Sequence, residues 1–307
     1  LHIMTYLYNN RSMKGKTVLI TGGARGMGRV TALALAERGA QLVLVDWEGE
    51  AGTRTRDEIN HRCQRKAAEF VYCDLSSQQA VRELAAHIQQ QHPALHVLIN
   101  NAGITDPVRR LSEEGFEMHL ATCHLAHFML TGLLLDLLKK SAPARILCIS
   151  SDAHKATAEL DLDDFNNESL WQGKAVSNSA AFRAYSRAKL YNVCMAFALS
   201  RRLEGSGVTC NAISPGYFIN TGIHRQMTGI FKLGSKLVFG IGTLLNLNTP
   251  EKGARSHIYL AGAEEAAELS GKYFEHCKEK PVSKLAADPE TQQRVWQISE
   301  QLSGVRY

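Results

Sequence analysis

Paired cysteines are missing from this chain. Its seven cysteines include no CxxC pair, and several of them lie within apolar, strand-like segments: Cys63, Cys73, Cys123, Cys148, Cys194, Cys210 and Cys277. Thiols in such settings are typical of reduced, mostly buried side chains rather than of a disulfide framework. The cysteine pattern therefore predicts an intracellular protein.

A strong charge of either sign and a long apolar run near the beginning are also absent. The formal net charge is +5 over 307 residues, and the lysines and arginines are scattered rather than clustered. This distribution gives no support to a nucleic-acid partner. Residues 1–15 are predicted to be an N-terminal tail, whose apolar run is too short for a signal peptide or a membrane span.

No internal repeat, low-complexity tract or linker divides the remaining residues, 16–307. Short apolar runs alternate with helical segments over nearly their whole length. Such alternation is typical of a parallel sheet with helices on both faces. The sequence therefore predicts one α/β domain with a Rossmann-type, doubly wound parallel sheet.

A glycine-rich turn follows the first predicted strand, Lys16 to Thr21. The turn reads Gly22-Gly23-Ala24-Arg25-Gly26-Met27-Gly28, and a helical segment follows it. Glycines let the backbone approach a pyrophosphate, and the helix start offers free N–H groups to it. We expect Gly22, Arg25, Gly26, Met27 and Gly28 to bind a dinucleotide; the alternative is a plain turn whose glycines serve packing.

Acidic residues end the second and third predicted strands. Asp46 stands about twenty residues beyond the glycine turn, where a carboxylate can accept hydrogen bonds from a ribose and repel a 2′-phosphate. Arg25 has the opposite tendency, because a guanidinium can pair with that phosphate. We expect NAD to be favoured over NADP. Asp74-Leu75 is predicted to meet the adenine, although Asp74 could equally cap the next helix, with Ser76 and Ser77 as rivals.

A tyrosine and a lysine, Tyr185 and Lys189, lie four residues apart in a predicted helix. At that spacing both side chains share one helix face. A neighbouring ammonium lowers the pKa of a phenol, which can then exchange a proton with an alcohol or ketone. Alone, the pattern is more often an ordinary exposed helix face.

Taken in order, these features resemble the short-chain dehydrogenase/reductase family. The resemblance rests on Thr21-Gly22-x-x-x-Gly26-x-Gly28, Asp74, Asn100-Asn101-Ala102-Gly103, Ser151, Tyr185-x-x-x-Lys189 and Pro215-Gly216. It implies that Tyr185 is the general acid/base and Ser151 a hydrogen-bond donor to the substrate oxygen. It also implies that Lys189 modulates the phenol and binds the nicotinamide ribose, and that Asn101, Ala102, Gly103, Pro215 and Gly216 contact the cofactor.

Within that family, three stretches resemble the retinol-dehydrogenase-like branch: Gly115 to His119, Arg145 to Ser151 and Leu203 to Val208. The resemblance implies a lipophilic alcohol or carbonyl substrate such as a retinoid, steroid or polyprenol. It also implies a location in the cytoplasm or on the cytosolic face of the endoplasmic reticulum or lipid droplets. A homodimer would pair helices 113–138 and 180–202 between subunits. Asp46-Trp47 stands in place of the neutral residue and Arg of the branch's NADP users, which again favours NAD.

One departure concerns Cys123, which occupies the place of the family's catalytic asparagine in Cys123 to Phe128. The family asparagine helps to hold a water and the lysine in a proton relay, and a thiol is a poorer donor and acceptor. The alternative hypothesis is therefore a dinucleotide-binding protein with weak or no catalysis.

Three side chains that can bind metals, His119, Cys123 and His127, form one stripe of a predicted helix. Three ligands in line on a straight helix do not close a tetrahedron easily. We therefore predict no metal.

Residues 217–250 are predicted to be an insertion that covers the substrate. Its segment 227–247 combines eight apolar side chains with Lys232 and Lys236. Two lysines and four glycines make it a poor membrane span. It suits a lid over an apolar substrate or a peripheral helix on a membrane; the alternative is a helix packed on the domain's own core.

Overall fold

A computed structural model describes residues 13–216 and 249–307 of the chain. Most of the predicted N-terminal tail and nearly all of the predicted insertion 217–250, including the segment 227–247, lie outside the described residues. The predictions made for these segments therefore stay predictions.

The described residues form alternating strands and helices up to the sixth strand, except that two helices lie between the fifth and the sixth strand. The strands are β1 Thr17–Thr21, β2 Gln41–Asp46, β3 Ala68–Tyr72, β4 Val97–Asn100, β5 Ala144–Ile149, β6 Val208–Ser214, β7 Tyr273–Glu275 and β8 Lys278–Glu279. The helices are α1 Gly26–Glu37, α2 Gly49–Cys63, α3 Gln78–Gln91, α4 Met118–Lys140, α5 Glu168–Trp171, α6 Asn178–Arg202, α7 Pro250–Gly262, α8 Lys284–Ala287 and α9 Pro289–Ser303.

The strands of the described chain build one sheet with the order β3-β2-β1-β4-β5-β6-β7-β8. Pairing is parallel from β3 through β7, and β8 is antiparallel to β7. The order reverses direction between β1 and β4, and ligands of such sheets bind outside the carboxyl ends of the strands at that point. The predicted Rossmann-type fold is confirmed.

Apolar cores cover both faces of the sheet. One core packs α1, α2 and α7 against strand residues such as Val18, Ile20 and Leu44. The other packs α3, α4, α6 and α9 against residues such as Leu19, Val43 and Leu98. Because alternate strand residues point to opposite faces, each strand contributes to both cores.

The helix α4 begins five residues later than the sequence predicts, at Met118 instead of Glu113. Gly115 has a φ of +83°, and the carboxylate of Glu117 accepts hydrogen bonds from the amides of His119 and Leu120. Left-handed backbone at Gly115 prevents the helix from starting earlier, and the Glu117 cap fixes its start. Within α4, Ala121–Leu125 is a π turn, an irregularity that is frequent at functional sites.

Helix α4 is the one helix in the described ranges that is long and apolar enough to span a membrane. However, 78% of its most apolar window is buried inside the domain. Its composition is therefore explained by its place in the core.

The C-terminal helix α9 and the residues after it pack onto both α4 and α6. Trp296 of α9 meets Phe128 of α4 edge to face, with ring centroids 5.0 Å apart. The hydroxyl of Tyr307 donates to the carbonyl of Phe128 at 2.9 Å, and a Cβ at Gly132 would collide with the Tyr307 ring. Gly132 is thus the small residue that lets the C-terminal segment seat against α4.

This packing bears on the predicted homodimer. Every residue of α6 from Ser186 to Met195 is buried within the single described chain. This stretch is therefore covered by the chain's own elements, and the homodimer through helices 113–138 and 180–202 stays a prediction.

Candidate active site

The glycine turn after β1 is packed so closely at Gly22 and Gly28 that neither position has room for a Cβ. A Cβ on Gly28 would collide with the carbonyl oxygen of Gly22, and a Cβ on Gly22 would lie 2.9 Å from the Asn101 Nδ2 atom. Gly22 and Gly26 have φ values of +66° and +52°, which favour glycine. Arg25 precedes α1 without capping it by its side chain, so the helix start presents free N–H groups. These residues fit a pyrophosphate.

The loop after β4 is tied to this turn through Thr21. Its Oγ1 atom accepts hydrogen bonds from the amides of Asn101 at 2.9 Å and Ala102 at 3.0 Å. In return, the Asn101 side chain donates to the carbonyls of Thr21 and Gly22. Asn101 and Ala102 are therefore fixed beside the glycine turn, and the cofactor contacts of Asn101, Ala102 and Gly103 stay a prediction.

Asp46, at the end of β2, lies directly beside the glycine turn. One carboxylate oxygen accepts from the amide of Ala24 at 3.0 Å, and the other accepts from the amide of Glu48 at 3.1 Å. Arg25, the residue that could attract a 2′-phosphate, forms an ion pair with Glu48. The Glu48 carboxylate thus compensates the positive charge of Arg25. The Asp46 carboxylate is fixed by its two main-chain hydrogen bonds.

Asp74 lies in the turn after β3. Its Oδ1 accepts from the amide and the hydroxyl of Ser76, while Ser77 is the residue that caps α3 by accepting from the amide of Ala80. Of the alternatives for the cap, Ser77 is correct. Leu75 is buried, and contacts of Asp74 and Leu75 with an adenine stay a prediction.

The structure brings Ser151, Tyr185 and Lys189 together at the carboxyl end of β5. The Ser151 side chain lies at the Tyr185 phenol and lowers its pKa through a hydrogen-bond interaction. Lys189 lies one helical turn after Tyr185 on α6, with its Nζ atom 5.4 Å from the centre of the tyrosine ring. The buried Nζ donates to the carbonyl of Ile149 at 2.8 Å. A hydroxyl, a phenol and an ammonium thus converge on one point.

The electrostatics of the pair differ from the sequence-based expectation. Burial raises the pKa of the Tyr185 phenol above its usual value, the Cys123 thiol adds to the increase, and the Ser151 hydrogen bond lowers it. Burial also lowers the pKa of the Lys189 ammonium. Desolvation of the phenolate outweighs the attraction expected from the lysine. In this state Tyr185 is a neutral phenol that can donate a proton.

Cys123 lies at the centre of the π turn, close to the lysine. Its Sγ accepts a hydrogen bond from the amide of Ile104 at 3.3 Å and lies 3.6 Å from the Ile104 carbonyl oxygen. Its main-chain carbonyl accepts from the Asn192 Nδ2 at 2.9 Å and is 3.2 Å from the His127 Nδ1. The thiol therefore anchors the loop after β4 to α4.

The two histidines of the stripe with Cys123 have protein partners on both ring nitrogens. His119 contacts Glu117 at 2.6 Å and accepts from the amide of Asp106 at 3.0 Å. His127 contacts Thr21 at 2.9 Å through its other ring nitrogen. Within the described ranges no group of three metal-binding side chains is assembled, and the imidazoles serve hydrogen bonds between elements.

Pro215 and Gly216 follow β6 at the same edge of the sheet. The Gly216 amide donates to the Ser214 hydroxyl at 3.2 Å. Its φ is +97°, and a Cβ there would lie 2.7 Å from the His276 ring. Gly216 therefore allows a close approach between two strand ends, and its contact with a cofactor stays a prediction.

Two residues near the candidate site, Asn192 and His154, were not predicted from the sequence. Asn192 lies one further turn along the helix face of Tyr185 and Lys189 and donates to the Ile149 carbonyl at 3.2 Å. That helical spacing was a usable signal. The His154 Nδ1 lies 2.7 Å from the Ser151 carbonyl oxygen, and its Nε2 accepts a hydrogen bond from the amide of Ser283. Because Ser283 is 129 residues away in the sequence, no local pattern identifies His154.

Comparison with known proteins places this geometry among dehydrogenases. A family model described as short chain dehydrogenase matches residues 16–160. Human retinol dehydrogenase 13 is 40% identical over 299 residues, covering 96% of this chain and 86% of that protein. Human retinol dehydrogenase 14 is 37% identical over 313 residues, covering 95% and 88%. A crystal structure of an uncharacterised protein from Mycobacterium paratuberculosis has 29% identity, a TM-score of 0.74 and 98% coverage of both chains.

Proposed function

The chain belongs to the short-chain dehydrogenase/reductase family, in its retinol-dehydrogenase-like branch, and on this basis we propose that it is an NAD-preferring oxidoreductase for lipophilic alcohols and carbonyls. The single observation that supports catalysis best is the convergence of Ser151, Tyr185 and Lys189 at the end of β5. The names of the two retinol dehydrogenases support a lipophilic substrate.

Each of the three side chains has a role in this proposal. The Tyr185 phenol gives a proton to, or takes one from, the substrate oxygen, and the Ser151 hydroxyl holds that oxygen by a hydrogen bond. Lys189 provides a buried cation beside the ring. A bound nicotinamide would accept or supply the hydride. The protein contributes position and electrostatics.

The cofactor would be held by residues already described. The glycine turn would receive the pyrophosphate, and Asp46 would accept from the adenosine ribose. The loop from Asn101 to Gly103 lies beside Lys189, since a Cβ on Gly103 would be 3.4 Å from the Lys189 Nζ. We include in this proposal an intracellular location, in the cytoplasm or at a cytosolic membrane face, with residues 227–247 in peripheral contact with lipid.

Turnover on a homologous series of primary alcohols tests the proposal. With NAD present, we expect kcat/KM to rise about fourfold for each added methylene until the site is filled, because each buried CH₂ contributes about 0.8 kcal/mol. Retinol and a steroid alcohol should exceed ethanol by the largest factor. NADH formation, followed by fluorescence, measures the rates.

The same assay distinguishes the alternative, a dinucleotide-binding protein with weak or no catalysis. This alternative requires cofactor binding without turnover on any alcohol, unchanged by Cys123→Asn. A rate gain in Cys123→Asn would instead show chemistry that the thiol impairs.

Cofactor preference gives a separate prediction. We expect Asp46→Asn to lower the ratio of kcat/KM with NAD to that with NADP by at least about tenfold, because a carboxylate next to a 2′-phosphate is repulsive. The amide has the same shape, so the hydrogen bond from Ala24 can persist. Asp57→Asn, which alters an exposed ion pair with Arg56 on α2, is the matched control. An unchanged ratio in Asp46→Asn would contradict the NAD preference.

A further inference from the structure

A buried chain of polar side chains joins the C-terminal helix to the carbonyl that holds the lysine. The Ser299 hydroxyl lies 2.8 Å from the His124 Nε2, and the His124 Nδ1 lies 3.0 Å from the Asn192 Oδ1. The Asn192 amide then reaches the Ile149 carbonyl at 3.2 Å, to which the Lys189 Nζ also donates at 2.8 Å. The chain thus spans α9, α4, α6 and β5.

Solvent does not reach any of the three side chains. Ser299 and His124 are fully buried, and Asn192 is 1% exposed. In such a setting an unsatisfied polar group costs more than a hydrogen bond returns. Each member therefore depends on its neighbours for a partner.

The direction of every hydrogen bond follows from the chemistry of the groups. The Asn192 Nδ2 faces two carbonyl oxygens, those of Cys123 and Ile149, and carbonyls only accept. Its Oδ1 must therefore accept from the Nδ1–H of His124. Burial lowers the His124 pKa to about 4, so the ring is neutral at physiological pH and has only one N–H.

With the proton on Nδ1, the Nε2 of His124 is an acceptor and the Ser299 hydroxyl must donate to it. The same hydroxyl lies 2.7 Å from the carbonyl of Val295, but that carbonyl already accepts the helical bond from the Ser299 amide, whereas the buried Nε2 of His124 would be left without a donor if the hydroxyl turned away from it. The one hydroxyl hydrogen is therefore directed to the ring. The bonds from α9 then all point towards the Ile149 carbonyl, which also accepts from the Lys189 Nζ.

We propose that Ser299, His124 and Asn192 are positioning residues, which fix the Ile149 carbonyl and thereby hold the Lys189 ammonium beside Tyr185. The inference rests on the proposed roles of those two residues in turnover. It makes the C-terminal helix a support of the active site, 110 residues from the lysine in sequence.

A matched pair of substitutions at Ser299 tests this role. Threonine and valine have the same shape, but only threonine retains a hydroxyl. We expect Ser299→Val to lower kcat about tenfold, through loss of one buried, oriented hydrogen bond, while Ser299→Thr retains most of the wild-type kcat. Gln297→Ala, on the exposed face of the same helix, is the control and should leave kcat unchanged. Equal kcat values for the valine and threonine variants would overturn the proposal.

A second measurement does not depend on turnover or on the folding of a variant. Nitrogen-15 NMR of the histidine rings in the wild-type chain should show His124 protonated on Nδ1 and bare on Nε2. A proton on Nε2 would overturn the proposal. If the tautomer is as expected but the wild-type protein turns over no alcohol, the proposed function fails. If the wild type is active and the two Ser299 variants are equal, only this inference fails.

Discussion

The variant Tyr185→Phe is expected to lose turnover by a factor of about a hundred to ten thousand, the range that a positioned general acid/base contributes. The substitution removes only the phenolic oxygen, which exchanges the proton with the substrate and whose pKa the Ser151 side chain lowers. The ring remains 5.4 Å from the Lys189 ammonium. Affinity for NADH should therefore be retained, and stopped-flow turnover together with NADH titration measures the two effects separately.

A tyrosine on the same helix supplies the control for this experiment. Tyr191 is fully buried, its ring stacks on Phe165 at 4.2 Å, and within the described part of the chain its hydroxyl has no hydrogen-bond partner. Tyr191→Phe should therefore leave turnover unchanged. Wild-type turnover in Tyr185→Phe would refute the proposed mechanism.

Acid is expected to destabilise the fold well above the pH at which carboxylates titrate. Burial lowers the pKa of His124 and His257 to about 4 and that of His127 to about 3, whereas an unfolded histidine titrates near about 6.5. Between these values the unfolded chain binds more protons, so the free energy of unfolding falls as the pH falls. Each ring contributes a loss on the order of 3 kcal/mol by pH 4.

This loss is large compared with a typical total stability of about 5–15 kcal/mol. Burial raises the pKa of the Glu275 carboxyl, so its protonation favours the folded state at low pH. This one carboxyl offsets only part of the stability that the three histidines lose. Urea unfolding at several pH values between 7.5 and 5 measures the dependence. His257→Leu should reduce its slope, and His87→Gln, which alters an exposed ring on α3, should not. A free energy of unfolding that is constant over this range would contradict the prediction.

Local patterns predicted the fold and which residues of the candidate site would lie together, because the relevant spacings are short. Gly22 to Gly28 lie within one turn, and Tyr185 and Lys189 lie within one turn of a helix that the sequence placed correctly up to Arg202. Alternating strands and helices then bring the strand ends to one edge by topology alone. This edge is where the structure places Asp46, Asn101, Ser151 and Gly216.

The features that were not predicted depend on distant contacts or on burial. The hydrogen bond between Ser299 and His124 joins residues 175 positions apart. The packing of α9 on α6 likewise joins segments that are distant in the sequence. The raised pKa of Tyr185 follows from how deeply the folded chain encloses it. The late start of α4 depends on the left-handed backbone at Gly115, which a helical periodicity does not reveal.

The π turn at Ala121–Leu125 has a consequence for how position 123 can change during evolution. The atom that receives the Asn192 amide there is a main-chain carbonyl oxygen, and every amino acid has one. A substitution at position 123 therefore changes the link to Ile104 but leaves the acceptor for Asn192 in place. The cysteine found here is therefore one of several residues that this backbone accepts without loss of the Asn192 contact.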